Sequence, residues 1–428
     1  MSIGREVSRA AAWIAVARYS GYAVQLAVVA VLARLLSPRD FGVMAAVLVF
    51  AGFINVFADA GLAPAIVDRE ELGARDLSTL FWFAAALSAL LIAVTWLLAP
   101  AMERLFRIAG LSPALRLFSV SIFFVAAAGL PDGLLRRHLQ FTRITAAQVS
   151  AAVTAGVTGI ALALSGAQYR ALIWMLVAHV ASNFVFLCIA AGWRPRFEFD
   201  PAALHGTLHF GFLVTASALL TTAARTLDDL LIGRVHGPVQ LGYYTQPYRV
   251  SLIAQDLVAG MVTPALQPVF ARQNDPAAVR AVYGHVLRVI MWITFPVAAL
   301  LAILATDVIY TLLGAGWGAS VPVLRWLAAA TALQAPAMTA GAALLARSRP
   351  RLLFAVGAAN STAFIVSFFL AVPYGIVAVA QAYVAANAVM MPLTLWITWS
   401  RVYEGTAAEL LRLTLKPLLI TVVVAAVA

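Results

Sequence analysis

The chain has 428 residues, 63% hydrophobic and 11% charged, and its 29 basic against 18 acidic residues give a net charge of +11. Soluble domains are typically about 45–50% apolar and about 25% charged, so this composition excludes a soluble enzyme, a disordered chain and a disulfide scaffold. It equally excludes a β-barrel, whose strands alternate apolar and polar residues. What remains is an all-α polytopic membrane protein.

Apolar runs long enough to cross a bilayer, roughly 20 residues each, fall at about 10–33, 41–63, 78–99, 113–131, 144–164 and 168–192. A second set falls at about 207–232, 240–270, 282–304, 320–345, 352–372 and 375–399, and a thirteenth begins near Glu409. The first run follows Arg5 and Arg9 as a signal peptide would. It is too long for one and lacks a small-residue cleavage site, so it reads as a retained helix.

The longest polar connection, Trp193–Gly206, carries two prolines and mixed charge and falls after six spans. It divides the chain into an N-terminal six-helix lobe (1–192), a cytoplasmic linker (193–206), a C-terminal six-helix lobe (207–400) and the start of an extra C-terminal helix (401–428). That last helix reads as cut short.

Lys416 is the sole lysine, so the positive charge is almost all arginine. Nucleic-acid binding needs a basic soluble face, whereas these arginines lie mostly in short connections, where they set membrane orientation. Counting alternate connections puts Arg5, Arg9, Arg69, Arg75, Arg136, Arg137, Arg143, Arg194, Arg196, Arg272, Arg280, Arg347, Arg349, Arg351, Arg401 and Arg412 on one side. The other side has only Arg34, Arg39, Arg104, Arg107, Arg170 and Arg234. The richer side is expected to be cytoplasmic, with the N-terminus on it.

An internal repeat supports two lobes. At a constant offset of 200, Arg34 matches Arg234, Pro38 matches Pro238, Gly42 matches Gly242, and Pro64–Ala65 matches Pro264–Ala265. Six spans per lobe keep the two copies in the same orientation, which predicts a pseudo-twofold axis along the membrane normal.

Some polar residues lie inside the runs, where a charge costs about 2.5–3.5 kcal/mol at mid-bilayer. Arg18, Tyr22 and Gln25 share one helix face, as do Gly52, Asn55 and Asp59. Thr221, Arg225 and Asp228 align, with Asp229 beside them. Thr245, Arg249 and Asp256 align, with Tyr248 and Gln255 adjacent. One reading is a hydrophilic cavity lined by spans 1, 2, 7 and 8, in which guanidinium forks hold a phosphate-bearing anion and carboxylates bind a coupling proton or cation. The other is local pairing, such as Arg225 with Asp228 or Asp229, with Arg18 snorkelling to the interface.

Catalytic patterns are missing. There is no phosphate-binding GxxxxGK[ST] loop, no HExxH and no CxxC. Cys188 is the single cysteine, which leaves no intrachain disulfide and no cysteine metal site. His205 and His209 stand one turn apart without a third ligand. No metal site, cofactor or enzyme activity is expected. Six intramembrane prolines, Pro247, Pro264, Pro268, Pro296, Pro336 and Pro392, are expected to kink or break spans.

Three segments carry a resemblance. Residues 31–67, VLARLLSPRDFGVMAAVLVFAGFINVFADAGLAPAIV, resemble the opening of Wzx-type polysaccharide-exporting flippases, the colanic-acid-exporter-like members of the multidrug/oligosaccharidyl-lipid/polysaccharide (MOP) exporter superfamily to which the MATE transporters belong. Residues 225–251 resemble that family's seventh and eighth helices through Asp228, Gly233, Arg234, Gly237, Leu241, Gly242 and Tyr244. Residues 312–328 resemble its loop into helix ten through Gly314, Trp317, Pro322 and Leu324.

The resemblance implies two six-helix bundles facing a central cavity. It also implies flipping of undecaprenyl-pyrophosphate-linked oligosaccharide from the cytoplasmic to the periplasmic leaflet of a bacterial inner membrane by alternating access. A polysaccharide polymerase and co-polymerase are the implied partners. Arg18, Arg225, Arg249, Tyr22, Gln25 and Tyr248 then become substrate-binding candidates, by role only. Asp59, Asp228, Asp229 and Asp256 become ion-coupling candidates, of which Asp59 and Asp228 lie within the matched segments. The alternatives are a cation-coupled multidrug antiporter of the same superfamily, a lipid II flippase of similar fold, or a membrane polysaccharide polymerase. The antiporter would need an acidic cavity, and the polymerase a large catalytic loop.

Overall fold

The computed structural model describes residues 21–59, 73–198, 200, 207–272, 276–346 and 349–427. These residues form helices and no strand. In chain order they are α1 (Gly21–Leu35), α2 (Pro38–Asp59), α3 (Ala74–Phe106), α4 (Leu111–Arg137), α5 (Phe141–Leu164), α6 (Tyr169–Ala191), α7 (Thr207–Arg272), α8 (Pro276–Ile303), α9 (Ala305–Leu312), α10 (Val321–Ala346), α11 (Pro350–Ala371), α12 (Ile376–Tyr403) and α13 (Ala407–Val427). Eight of the described helices are long and apolar enough to cross a membrane, so the chain is a multi-pass membrane protein.

Helix ends follow from local chemistry. Ser37 caps α2, and its hydroxyl donates to Asp40 Oδ2 at 2.6 Å while the Asp40 amide returns to the Ser37 hydroxyl at 3.3 Å. Pro38 takes the first helical position, where its missing N–H costs nothing. At the start of α13 the Thr406 amide donates to Glu409 Oε2 at 3.0 Å and the Glu409 amide donates to the Thr406 hydroxyl at 3.4 Å, a reciprocal capping pair. Glu103, near the end of α3, accepts from the amides of Gly110 and Ser112 at 3.2 and 2.8 Å, so it satisfies orphan donors at the start of α4. Arg143 donates to the Ala190 carbonyl at 2.9 Å, one of the unsatisfied acceptors at the end of α6.

The segment from Thr207 to Arg272 is a single helical stretch of 66 residues interrupted once, at Gly237, with φ 79° and ψ −177°. That left-handed φ favours glycine, which has no Cβ to clash. The break divides α7 into two arms that coincide with the seventh and eighth apolar runs. Pro296, Pro336 and Pro392 do not end their helices; α8, α10 and α12 run through them. The stretch before α10, expected to be loop, holds the eight-residue α9 and a 3-10 turn at Ala315–Ser320.

The chain falls into two compact units, Met1–Gly242 and Tyr243–Ala428. In the first, α4 packs on α3, α6 and α2, and α5 packs on α6. In the second, α10 packs on α8 and α12, and α11 packs on α12. The three pairings of third with fourth, fourth with sixth and fifth with sixth span therefore occur in each set of six. The second unit's centre is Tyr283, Leu287, Met291 and Phe295 of α8 against Leu395, Trp399 and Tyr403 of α12.

The connection after α6 is fastened down. Trp82 of α3 donates from Nε1 to the Arg196 carbonyl at 2.8 Å and stacks on Phe197. The amides of Arg196 and Asp200 donate to the hydroxyls of Ser78 and Thr79, and Arg75 lies 3.9 Å from the Asp200 carboxylate. The described part of the stretch read as a linker thus lies against the first turns of α3 at Arg196, Phe197 and Asp200.

Candidate functional site

Polar side chains buried in a membrane helix need partners from the protein or from enclosed water. Among the described residues, three of the four buried charged or amide side chains, Asp228, Gln246 and Gln255, lie on α7, the fourth being Asn387 of α12. Asp228, Thr245, Gln246, Ser251 and Gln255 are all buried, with Asp228 only 3% exposed. Thr226 returns its hydroxyl to the Thr222 carbonyl at 2.9 Å. A Cβ placed on Gly52 of α2 would lie 3.1 Å from the Thr222 methyl, so the first arm of α7 runs close beside the polar face of α2.

The N-terminal bundle holds three buried oxygens that accept or donate no hydrogen bond among the described residues. They are Asn55 Oδ1 on α2, Ser121 Oγ on α4 and Asn183 Oδ1 on α6. These three helices pack on one another. A buried unsatisfied polar atom costs about 1–3 kcal/mol, so these positions suit enclosed water or a polar ligand.

The second unit encloses an aromatic and amide cluster. Tyr244 and Tyr248, one turn apart on α7, stack with centroids 6.1 Å apart and planes 12° apart. Tyr248 meets Tyr383 of α12 edge-on at 5.9 Å, with the two hydroxyls 3.3 Å apart. Gln334 of α10 donates from Nε2 to the Tyr383 hydroxyl at 2.5 Å. Asn387, one turn beyond Tyr383, donates to its carbonyl at 2.8 Å. Phe364 and Phe368 of α11 flank the Tyr383 ring at 5.3 and 5.8 Å. Next to this, Gln255 Nε2 lies 3.0 Å from Met338 Sδ, and Thr331 donates to the Ser251 carbonyl at 3.3 Å. Tyrosine rings edged by hydroxyls and amides offer stacking faces and hydrogen bonds together, which suits polyhydroxylated ligands.

Of the residues singled out in the sequence, Tyr248 joins this cluster. Tyr22 is half-buried on α1 and Gln25 is exposed there. Asp229, Arg249 and Asp256 are half-buried, and each of Tyr22, Asp228, Asp229, Tyr248, Arg249 and Asp256 is engaged in at least one polar, ionic or ring interaction. Arg18 lies outside the described residues, as do the side chains of Asp59 and Arg225. Tyr383, Gln334 and Asn387 were missed. The i, i+4 spacing of Tyr383 and Asn387 was the available signal. Among the described residues, no three His, Cys, Asp or Glu side chains converge as metal ligands.

The sequence pattern of a family described as polysaccharide biosynthesis protein matches residues 31–322. The chain belongs to this family.

Among its relatives is the lipopolysaccharide biosynthesis protein WzxC of Escherichia coli, 24% identical over 83% of this chain and 73% of that protein. Another is the teichuronic acid biosynthesis protein TuaB of Bacillus subtilis, 23% identical over 98% of this chain and 88% of that protein. The succinoglycan biosynthesis transport protein ExoT of Rhizobium meliloti is 23% identical over 78% and 68%.

In fold, this polysaccharide biosynthesis protein resembles the lipid II flippase MurJ, with a TM-score of 0.78 at 16% identity over 97% of this chain and 92% of MurJ. It also resembles an inward-facing MATE transporter of the MOP superfamily, with a TM-score of 0.71 at 18% identity over 91% and 98%.

Proposed function

We propose that this protein is a flippase. It carries an undecaprenyl-pyrophosphate-linked oligosaccharide, the repeat unit of an O-antigen or exopolysaccharide, from the cytoplasmic to the periplasmic leaflet of a bacterial inner membrane. The observation that carries this reading is the burial of charged, amide and aromatic side chains on α7 and its neighbours, in a chain of the polysaccharide biosynthesis family. A drug antiporter would want an acidic cavity for organic cations. Here the intramembrane candidates include Arg18, Arg225 and Arg249, which suit an anionic head.

In this reading 1–192 and 207–400 form two lobes related by a pseudo-twofold axis and joined by 193–206. They rock in alternation about a hydrated cavity. The diphosphate binds Arg18, Arg225 and Arg249 through paired N–H donors. Tyr22, Gln25 and Tyr248 contact sugars, and Tyr383 with Gln334 holds the Tyr248 hydroxyl in place. The polyprenyl tail stays in lipid. Export of an anion is favoured by an inside-negative potential, worth about 2.3 kcal/mol per charge per 100 mV. Asp59, Asp228, Asp229 or Asp256 binds a coupling ion, and a polysaccharide polymerase with its co-polymerase receives the product.

The test is the leaflet distribution of lipid-linked oligosaccharide in cells that lack the gene and retain the upstream glycosyltransferases. The expected result is accumulation in the cytoplasmic leaflet, reversed by the wild-type protein. Accumulation of single repeat units on the periplasmic side would point to a polymerase, and no change in any lipid-linked sugar would end the proposal.

A further inference from the structure

Helices α8 and α13 pack on each other within the second compact unit. Arg280 donates from Nη1 to the carbonyl of Glu404, just before α13, at 3.2 Å. One turn on, a Cβ at Gly284 would lie 3.4 Å from Leu413 Cδ1. The two contacts advance together along both chains, so the helices run parallel in a defined register. Arg288 stands one turn past Gly284 and Lys416 one turn past Leu413, which sets these two cations at one level. His285 and Arg412 lie one turn below them.

These basic groups face away from the core. Leu287, Ile290 and Met291 of α8 and Leu410 and Pro417 of α13 are buried, whereas His285, Arg288, Arg412 and Lys416 are exposed. No described carboxylate pairs with them. Glu409, the acid on α13, instead accepts from the Thr406 amide. Past the cations the outer faces turn apolar, with Val289, Trp292 and Ile293 of α8 and Leu418 and Leu419 of α13 each 40–54% exposed.

Residues 289–306 carry no charge. At 1.5 Å per residue they span about 27 Å, close to the roughly 30 Å of a hydrocarbon core. Arg288 therefore marks the edge of that core, at headgroup level. The arginine count expects this end of α8 and α13, with Arg280 and Arg412, on the cytoplasmic side. A cation facing lipid without a counter-charge is costly, and basic clefts between helices on that side suit acidic lipid headgroups.

We infer that the outer face of α8 and α13 is a binding site for an anionic glycerophospholipid of the phosphatidylglycerol class. Its phosphate lies between Arg288 and Lys416, with His285 and Arg412 beneath, and an acyl chain runs along Trp292 and Leu419. The lipid is a tie between the two helices, which share the charge of one headgroup. The site lies on the lipid-facing surface and does not depend on the flippase reading.

The experiment uses the full-length protein in detergent, titrated with dioleoylphosphatidylglycerol or dioleoylphosphatidylcholine, with bound lipid counted by native mass spectrometry. One phosphatidylglycerol is expected to be retained at least tenfold more tightly than phosphatidylcholine. The double variant Arg288→Gln/Lys416→Gln is expected to lose that preference, since each cation near a charged headgroup contributes severalfold. The charge-keeping pair Arg288→Lys/Lys416→Arg should hold most of it. Arg170→Gln, at an exposed arginine of the first unit, should leave it unchanged.

Equal retention of the two lipids by the wild-type protein would overturn the site and leave the cations snorkelling to water. A wild-type preference in the Arg288→Gln/Lys416→Gln protein would overturn it as well. So would displacement of the bound lipid by an equimolar polyprenyl diphosphate, farnesyl diphosphate being the probe, which would reassign the face to cargo.

Discussion

The hydroxyls of Tyr248 and Tyr383 lie 3.3 Å apart, and the Tyr383 hydroxyl also accepts from Gln334 Nε2. This links α7, α10 and α12 through two polar contacts. Tyr383→Phe removes the acceptor and leaves the Gln334 amide unsatisfied, at a cost of about 1–3 kcal/mol. The expected outcome is a lower melting temperature in detergent together with a several-fold fall in export. Tyr248→Phe should lower export with a smaller thermal change, since Gln334 keeps its acceptor. Equal export by both variants and wild type would remove the cluster from the sugar pathway.

The cationic candidates make a sharper prediction. Arg18→Ala and Arg225→Ala are each expected to abolish export while membrane protein stays at wild-type level. Arg225→Lys should restore only part of it, since an ammonium lacks the planar fork that grips a diphosphate. Quantitative immunoblotting beside the leaflet assay checks both halves.

Asp228 is buried at 3% exposure, and burial of a carboxylate makes its charge state matter. With Asp228→Asn, export is expected to lose its dependence on the external cation or proton gradient, while uptake of labelled substrate into the binding-competent state is retained. A gradient dependence identical to wild type would assign Asp228 a structural role.

The strap along α3 predicts a protease result. In inside-out vesicles, Trp82→Ala should free the stretch around Arg194 and Arg196, and trypsin should cut there at least tenfold faster than in wild type. In right-side-out vesicles neither protein should be cut at Arg194 or Arg196, which also tests the predicted orientation.

Glu103 supplies a stability test apart from function. Glu103→Gln keeps the shape but weakens the charge-assisted bonds to the Gly110 and Ser112 amides. A loss of about 1 kcal/mol is expected, seen as a melting point a few degrees lower with export unchanged.

Much of the architecture is legible in local sequence. The Ser-Pro-Arg-Asp signal at 37–40 starts α2 where it stands, and the offset-200 copy marks the break at Gly237. The apolar run at 78–99 underestimates α3, which extends from Ala74 to Phe106. Polar ends such as Asp76 and Arg104 are carried into the helix by capping and dipole effects, not by hydropathy. The short α9 escapes a search for membrane-length runs. The pairing of Tyr383 with Gln334 is illegible for a different reason: the two sit on different helices, and only the packing of α10 on α12 makes them neighbours.

The strap has one more consequence, which concerns reach. Pinning Asp200 to Thr79 leaves seven peptide steps before Thr207 opens α7. Fully extended, those steps cover about 25 Å at roughly 3.5 Å each. Under the proposed alternating access, the first residue of α7 stays on a leash of that length while the strap holds. Shortening 201–206 should therefore restrict the stroke, and lengthening it should be tolerated.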